Sequence, residues 1–196
     1  MRMKTLLAFV AALLVLCAPM AFGQNLLTNG SFETGDFTGW TTTGNFEFSQ
    51  VVSGPFYVYS GAQHGSFYGT FGPVSDLGGI TQSFADTAGQ HYTFSFWLAA
   101  VGDDPSELQI LWDGTTLADV RDPNTNGEWT NFTFDVVGTG NDSVSFNFRD
   151  DPGYIALDNV SVGQSGTGTV PEPSSFMLLG SGVLGLAGVI RRRMRG

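Results

Sequence analysis

Apolar and polar residues alternate with a period of two through most of this chain, and that spacing points to strands rather than helices. Tyr92-Thr93-Phe94-Ser95-Phe96 sets its aromatics on one face. Phe132-Thr133-Phe134-Asp135-Val136 and Val144-Ser145-Phe146-Asn147-Phe148 repeat the pattern. Ile155-Ala156-Leu157 and Val160-Ser161-Val162 close the series, with Asp158-Asn159 between them. Asp113-Gly114, between Leu108–Trp112 and Thr116–Val120, is the signature of a two-residue hairpin. Further strands are predicted over Phe46–Val52, Phe56–Ser60, Ser66–Phe71 and Gly79–Phe84. No amphipathic helix of useful length interrupts them. About ten short strands with polar turns predict an all-β sandwich over residues 24–163.

The two ends break this rhythm. Met1-Arg2-Met3-Lys4 is basic, Thr5 to Leu16 is apolar, and Ala21-Phe22-Gly23 offers small residues to a signal peptidase. Residues 1–23 therefore read as a secretory signal peptide. Cys17 follows the large Leu16, which disfavours a lipidation site. Cleavage before Gln24 removes the only cysteine, so no disulfide staples the mature chain. At the other end, QSGTGT over 164–169 reads as a flexible linker. Pro171-Glu172-Pro173 follows, then an apolar run over 174–190, then Arg191, Arg192, Arg193 and Arg195. The run reaches the lower limit of about 17 residues for a transmembrane helix, and the arginines place its end on the cytoplasmic side.

Taken together, residues 170–196 resemble the PEP-CTERM sorting signal of exported bacterial proteins. The resemblance implies an exosortase as partner, transient or stable anchoring in the inner membrane, and delivery to the cell surface or an exopolysaccharide matrix.

Charge narrows the remaining choices. The domain keeps two cationic side chains, Arg121 and Arg149, against every acid of the chain except Glu172, a net charge of about −15. Nucleic acid is excluded as a partner, because phosphate binding needs basic patches. Divalent cations suit such a surface.

The opening Asn25-Leu26-Leu27-Thr28-Asn29-Gly30-Ser31-Phe32-Glu33 and the close Ala156-Leu157-Asp158-Asn159-Val160-Ser161-Val162 carry a second resemblance. They are similar to galactose-binding-domain-like jelly rolls, among them many carbohydrate-binding modules. The resemblance implies a structural calcium ion shared by Glu33 and Asp158. Asn159 stands where an Asp is common in that family, which removes a charge but keeps an oxygen. Turn capping by the same two carboxylates is the alternative.

Catalysis finds little support in the residues. His64 sits in a Gly-rich loop and His91 opens a strand, and neither has metal-ligand spacing. No GxSxG elbow occurs. Asp103-Asp104 and Asp150-Asp151 each abut a proline, which suggests turns. Binding is the better reading, since aromatics beside amides and acids suit sugar rings. Tyr57, Tyr59, Tyr68, Trp97, Trp112 and Arg149 are the candidate contacts, with core packing as the alternative for each aromatic. The expected function is a noncatalytic glycan-binding module; a ligand-free matrix protein and a glycan hydrolase are the alternatives.

Overall fold

The computed structural model describes residues 24–165. The expected signal peptide, the sorting tail with its helix over 174–190, and all but the start of the 164–169 linker lie outside them. No helix long and apolar enough to cross a membrane occurs among the described residues.

Ten strands follow one another: β1 (Thr41–Gly44), β2 (Gln50–Ser53), β3 (Phe67–Phe71), β4 (Gly78–Ala85), β5 (His91–Ala99), β6 (Ser106–Trp112), β7 (Thr115–Arg121), β8 (Thr130–Val137), β9 (Asn141–Asp150) and β10 (Ile155–Gln164). They form two five-stranded sheets, in the orders β1-β4-β9-β6-β7 and β2-β3-β10-β5-β8. Every pairing is antiparallel. Alternation decides which faces meet. On β9, Val144, Phe146 and Phe148 are buried while Ser145, Asn147 and Arg149 point out. On β5, Tyr92, Phe94 and Phe96 are buried against them.

Aromatic contacts lock the sheets together. Phe71 of β3 stacks on Phe148 of β9 with ring centroids 3.9 Å apart and planes 6° from parallel. Phe96 of β5 meets Phe146 of β9 edge-on at 4.9 Å. Burying each such ring stabilises the fold by about 1.5–3 kcal/mol.

Chain opening and close meet at one edge. Asn25 Nδ2 donates to Val160 O at 2.9 Å, and Asn25 Oδ1 accepts from Val162 N at 2.9 Å and Leu27 N at 3.1 Å. Gly30 lies against the Val160 carbonyl where any Cβ would collide. The Asn-Gly of the opening motif thus serves a close backbone approach.

Four elements differ from the sequence expectation. The strand expected over Phe46–Val52 begins only at Gln50, after a turn in which Ser49 N donates to Phe46 O at 3.4 Å. β1 is Thr-Thr-Thr-Gly, exposed throughout, so it shows no apolar alternation to read. Segment 56–60 forms a turn, with Tyr57 at φ 53° and a lone bridge between Phe56 and Tyr59. The two expected closing strands are one strand, β10, whose pairing with β5 shifts register between Asp158 and Ser161. Asn159, at φ 48°, takes up that bulge. At the expected hairpin, Asp113 (φ 48°) and Gly114 (φ 70°) are both left-handed, as a type I′ turn requires.

Candidate functional site

A second, smaller apolar cluster lies on the outer face of the β3-β10-β5 region. Tyr59, Tyr68, Ala99 and Ala156 are buried there, packed with Val52, Phe56, Ala62, Trp129 and Tyr154. The segment from Gly54 to Gly65 straps over this face, held by Trp129 Nε1 donating to Gly61 O at 3.0 Å. This strap corrects two expected ligand contacts. Tyr59 and Tyr68 are 1% and 0% exposed, so neither can meet a sugar. Trp112 is corrected likewise: it is buried in the main core between Phe84 and Phe94.

The other candidates reach the surface in different places. Trp97 stands half-buried on the outward face of β5, opposite Asn131 of β8 and Asp158 of β10. Arg149 stands on the outward face of the other sheet, opposite Glu107. Its Nε is buried without a partner. Around it runs a polar row, with Asn147 Nδ2 donating to Gln109 Oε1 at 3.1 Å and Ser145 Oγ donating to Thr81 Oγ1 at 2.8 Å. Tyr57 is 48% exposed at the tip of its turn. The sequence candidates therefore do not converge on one surface.

Glu33 and Asp158 do converge, on the end of the strap. Glu33 Oε1 accepts from Ser66 N at 2.8 Å and Phe67 N at 2.9 Å. Asp158 Oδ2 accepts from Gln63 N and His64 N, both at 2.9 Å, and its Oδ1 accepts from Asn159 N at 2.6 Å. Burial pushes the Asp158 carboxyl up to about 6, against the pull of those three N–H donors. The pair is a clamp on residues 63–67 built from backbone N–H groups. Calcium would demand six to eight oxygens here. Glu33, Asp158 and Gln63 Oε1, an oxygen buried without a partner, are donors of the kind it takes.

An opening lies elsewhere, where the segments before β2, after β3 and at the end of β9 meet. It is a cleft of about 230 Å³ lined by Phe48, Val74, Asp150, Asp151, Gly153 and Tyr154, among others. Tyr57 stands beside it, with its ring centroid 5.6 Å from that of Tyr154. Phe48 is 59% exposed, so it and Tyr57 offer two open aromatic surfaces at one place. The Tyr57 hydroxyl donates to Asp103 Oδ2 at 3.1 Å. Beneath them Asp150 is 2% exposed. Its carboxyl is pushed up to about 7, first by burial and then by the charge of Asp103. Of these residues, sequence reasoning found only Tyr57. A signal was present: the chain contains Asp-Asp-Pro twice, at 103–105 and 150–152, and the fold sets the two copies side by side, with Asp151 N donating to Pro105 O at 3.3 Å.

Among the described residues, no group of three or more His, Cys, Asp or Glu side chains is placed to share a metal ion. His64 contributes its backbone N–H to the Asp158 clamp, and His91 stands exposed at the start of β5.

No curated protein matches the sequence. Solved structures do match the fold. A family 61 carbohydrate-binding module in complex with β-1,4-galactotriose is 21% identical at a TM-score of 0.59, covering 72% of this chain and 99% of that one. The family 22 and catalytic modules of Clostridium thermocellum endo-1,4-β-D-xylanase 10B, complexed with xylohexaose, are 15% identical at 0.52, covering 78% and 30%. A cyclase from Fischerella sp. TAU is 15% identical at 0.51, covering 69% and 94%. The shared fold is the jelly roll of carbohydrate-binding modules, and a cyclase among the matches shows that the fold alone does not fix an activity. The PEP-CTERM protein-sorting motif matches residues 169–193, which takes in Pro171, Glu172, Pro173, Arg191, Arg192 and Arg193 and stops short of Arg195. The chain carries a PEP-CTERM protein-sorting motif, C-terminal to a β-sandwich of the carbohydrate-binding-module jelly-roll fold.

Proposed function

We propose that the sandwich is a noncatalytic glycan-binding module. An exosortase, acting on the C-terminal motif, sorts it to the cell surface or into an exopolysaccharide matrix. The observation that carries the binding half is the cleft beside Phe48, Tyr57 and Tyr154, with the carboxylates of Asp103 and Asp151 at its margin. Aromatic faces take the C–H faces of sugar rings, and carboxylates take their hydroxyls. Two of the matching folds were solved with bound oligosaccharide, which supports the class of ligand. A hydrolase reading is weaker, because Asp150, the lining carboxyl raised toward neutrality, is only 2% exposed. The net charge of about −15 favours a second reading, a matrix protein that acts through bulk and charge without a ligand.

Calcium at Glu33 and Asp158 is a separate part of the proposal, supported by the unpartnered Gln63 Oε1 beside the clamp. A calcium-dependent rise in melting temperature that Asp158→Asn lowers would support it; a rise unchanged in that variant would refute it.

A glycan-array screen of residues 24–169, with Tyr57→Ala as control, tests the binding reading. Binding to one sugar class that the variant loses supports it. Silence from the folded domain on every glycan, native exopolysaccharide included, transfers the weight to the matrix reading.

A further inference from the structure

The region below the cleft carries an inference that does not depend on glycan binding. Gly153 has no side chain, and the space that a Cβ would fill is taken by carboxylate. Asp103 Oδ2 and Asp150 Oδ1 both lie within 3.0 Å of that point. Two like charges from separate turns, one before β6 and one after β9, thus face each other across a glycine. Asp150 is 2% exposed, and its Oδ1 has no hydrogen-bond partner. The Gly153 backbone N–H offsets part of the burial, and a buried carboxylate with so little pairing is costly unless something compensates it.

No cationic side chain does so. The domain has two arginines and no lysine. Arg121 makes both salt bridges found among the described residues, with Glu107 and Asp119. Arg149 precedes Asp150 in the chain, but alternation along β9 puts it on the opposite, outward face. The other charged or titratable groups facing Asp150 are Asp122, Asp151, Tyr57 and Tyr59, none of them a cation at neutral pH.

We propose that Asp103 and Asp150 together hold a divalent cation of calcium's class between the 102–105 and 150–153 turns. The donors are hard oxygens, which suit calcium or magnesium rather than a softer metal. Calcium accepts irregular geometry and fills its remaining positions with carbonyls and water. Water reaches Asp150 through the cleft, so the ion exchanges with solvent and a chelator can remove it. The Tyr57 hydroxyl, 3.1 Å from Asp103 Oδ2, holds that carboxylate in place. This site is distinct from the Glu33–Asp158 clamp, which grips residues 63–67.

The test uses the full chain in detergent, melted in chelator and in calcium from about 0.01 to 10 mM, the range of extracellular calcium modules. The wild type should gain about 5–10 °C at a hundredfold excess of calcium over its dissociation constant. In an Asp158→Asn background, which silences the Glu33–Asp158 clamp, a calcium gain should remain, and Asp103→Asn and Asp150→Asn should each abolish it. Terbium provides a readout independent of stability: its emission, excited through the neighbouring tyrosines, should appear in the Asp158→Asn protein, fall on adding calcium, and be missing once Asp103→Asn is added. Should Asp150→Asn fail to fold, Asp103→Asn decides, because Asp103 is partly solvent-exposed. A calcium gain that survives Asp103→Asn in that background, or one that Asp158→Asn alone abolishes, overturns the proposal. So does the absence of any calcium effect on wild type.

Discussion

Replacing Asp150 with asparagine should flatten the pH dependence of stability when divalent cations are chelated. The folded state raises this carboxyl from 3.8 to about 7, chiefly by burial. Between those values the native protein holds a proton that the unfolded chain has released. Stability from this group is therefore full below about pH 4 and is lost as pH rises through about 7. Three units at about 1.4 kcal/mol each set an upper bound of about 4 kcal/mol. Relaxation and water entry from the cleft reduce this, so about 2 kcal/mol is the working expectation. Urea melts of residues 24–169 at about pH 4.5 and pH 8 read the difference directly. Asp158, Asp86 and Asp113 are also raised, and Asp142 and Asp36 are lowered, but these groups remain in both proteins, so the comparison isolates Asp150. The variant should match or fall below wild type in acid and exceed it by about 2 kcal/mol at pH 8. Parallel curves for the two proteins, or a variant weaker than wild type at pH 8, would refute the reasoning.

Phe148→Ala removes one half of the stack that joins the two sheets and should cost about 3–5 kcal/mol in a denaturant melt. Asn25→Ala strips three hydrogen bonds from the seam between chain opening and close, so a loss of about 2 kcal/mol is expected in the same assay. Tyr57→Ala should weaken glycan binding about tenfold, whereas Trp97→Ala, outside the cleft on β5, should leave it unchanged; titration calorimetry separates the two. Ending the chain before Val170 should yield a folded domain no longer retained at the envelope, as fractionation would show; an aggregated product would contradict the domain boundary.

Strands whose two faces differ were legible. The Phe94/Ser95 and Phe146/Asn147 alternations announce both location and inward face, because burial of one side imposes a period of two. β1 was illegible because a run of threonines at an exposed edge has no buried side to mark it. The 56–60 segment misled because its apolar residues pack beneath a strap rather than along a sheet. Phe56 and Tyr59 pair across a turn that throws Tyr57 outward. For the same reason alternation overstated the surface aromatics: a second small core on the outside of a sheet buries Tyr59 and Tyr68. The cleft depends on three segments far apart in sequence, before β2, after β3 and at the end of β9, and the repeated Asp-Asp-Pro hinted only that the 103–105 turn lies beside the last of them. The sorting motif was readable because it is local, with box, apolar run and charges contiguous over 169–193.

In the proposed function, the cleft beside Phe48, Tyr57 and Tyr154 receives a glycan. The most direct measurement is an NMR titration of residues 24–169 with the oligosaccharide that scores highest on an array. The account expects shifts confined to Phe48, Tyr57, Asp151, Gly153 and Tyr154, with Trp97 and Arg149 unmoved. Shifts centred on the outward faces around Trp97 or Arg149, with the cleft silent, would contradict it.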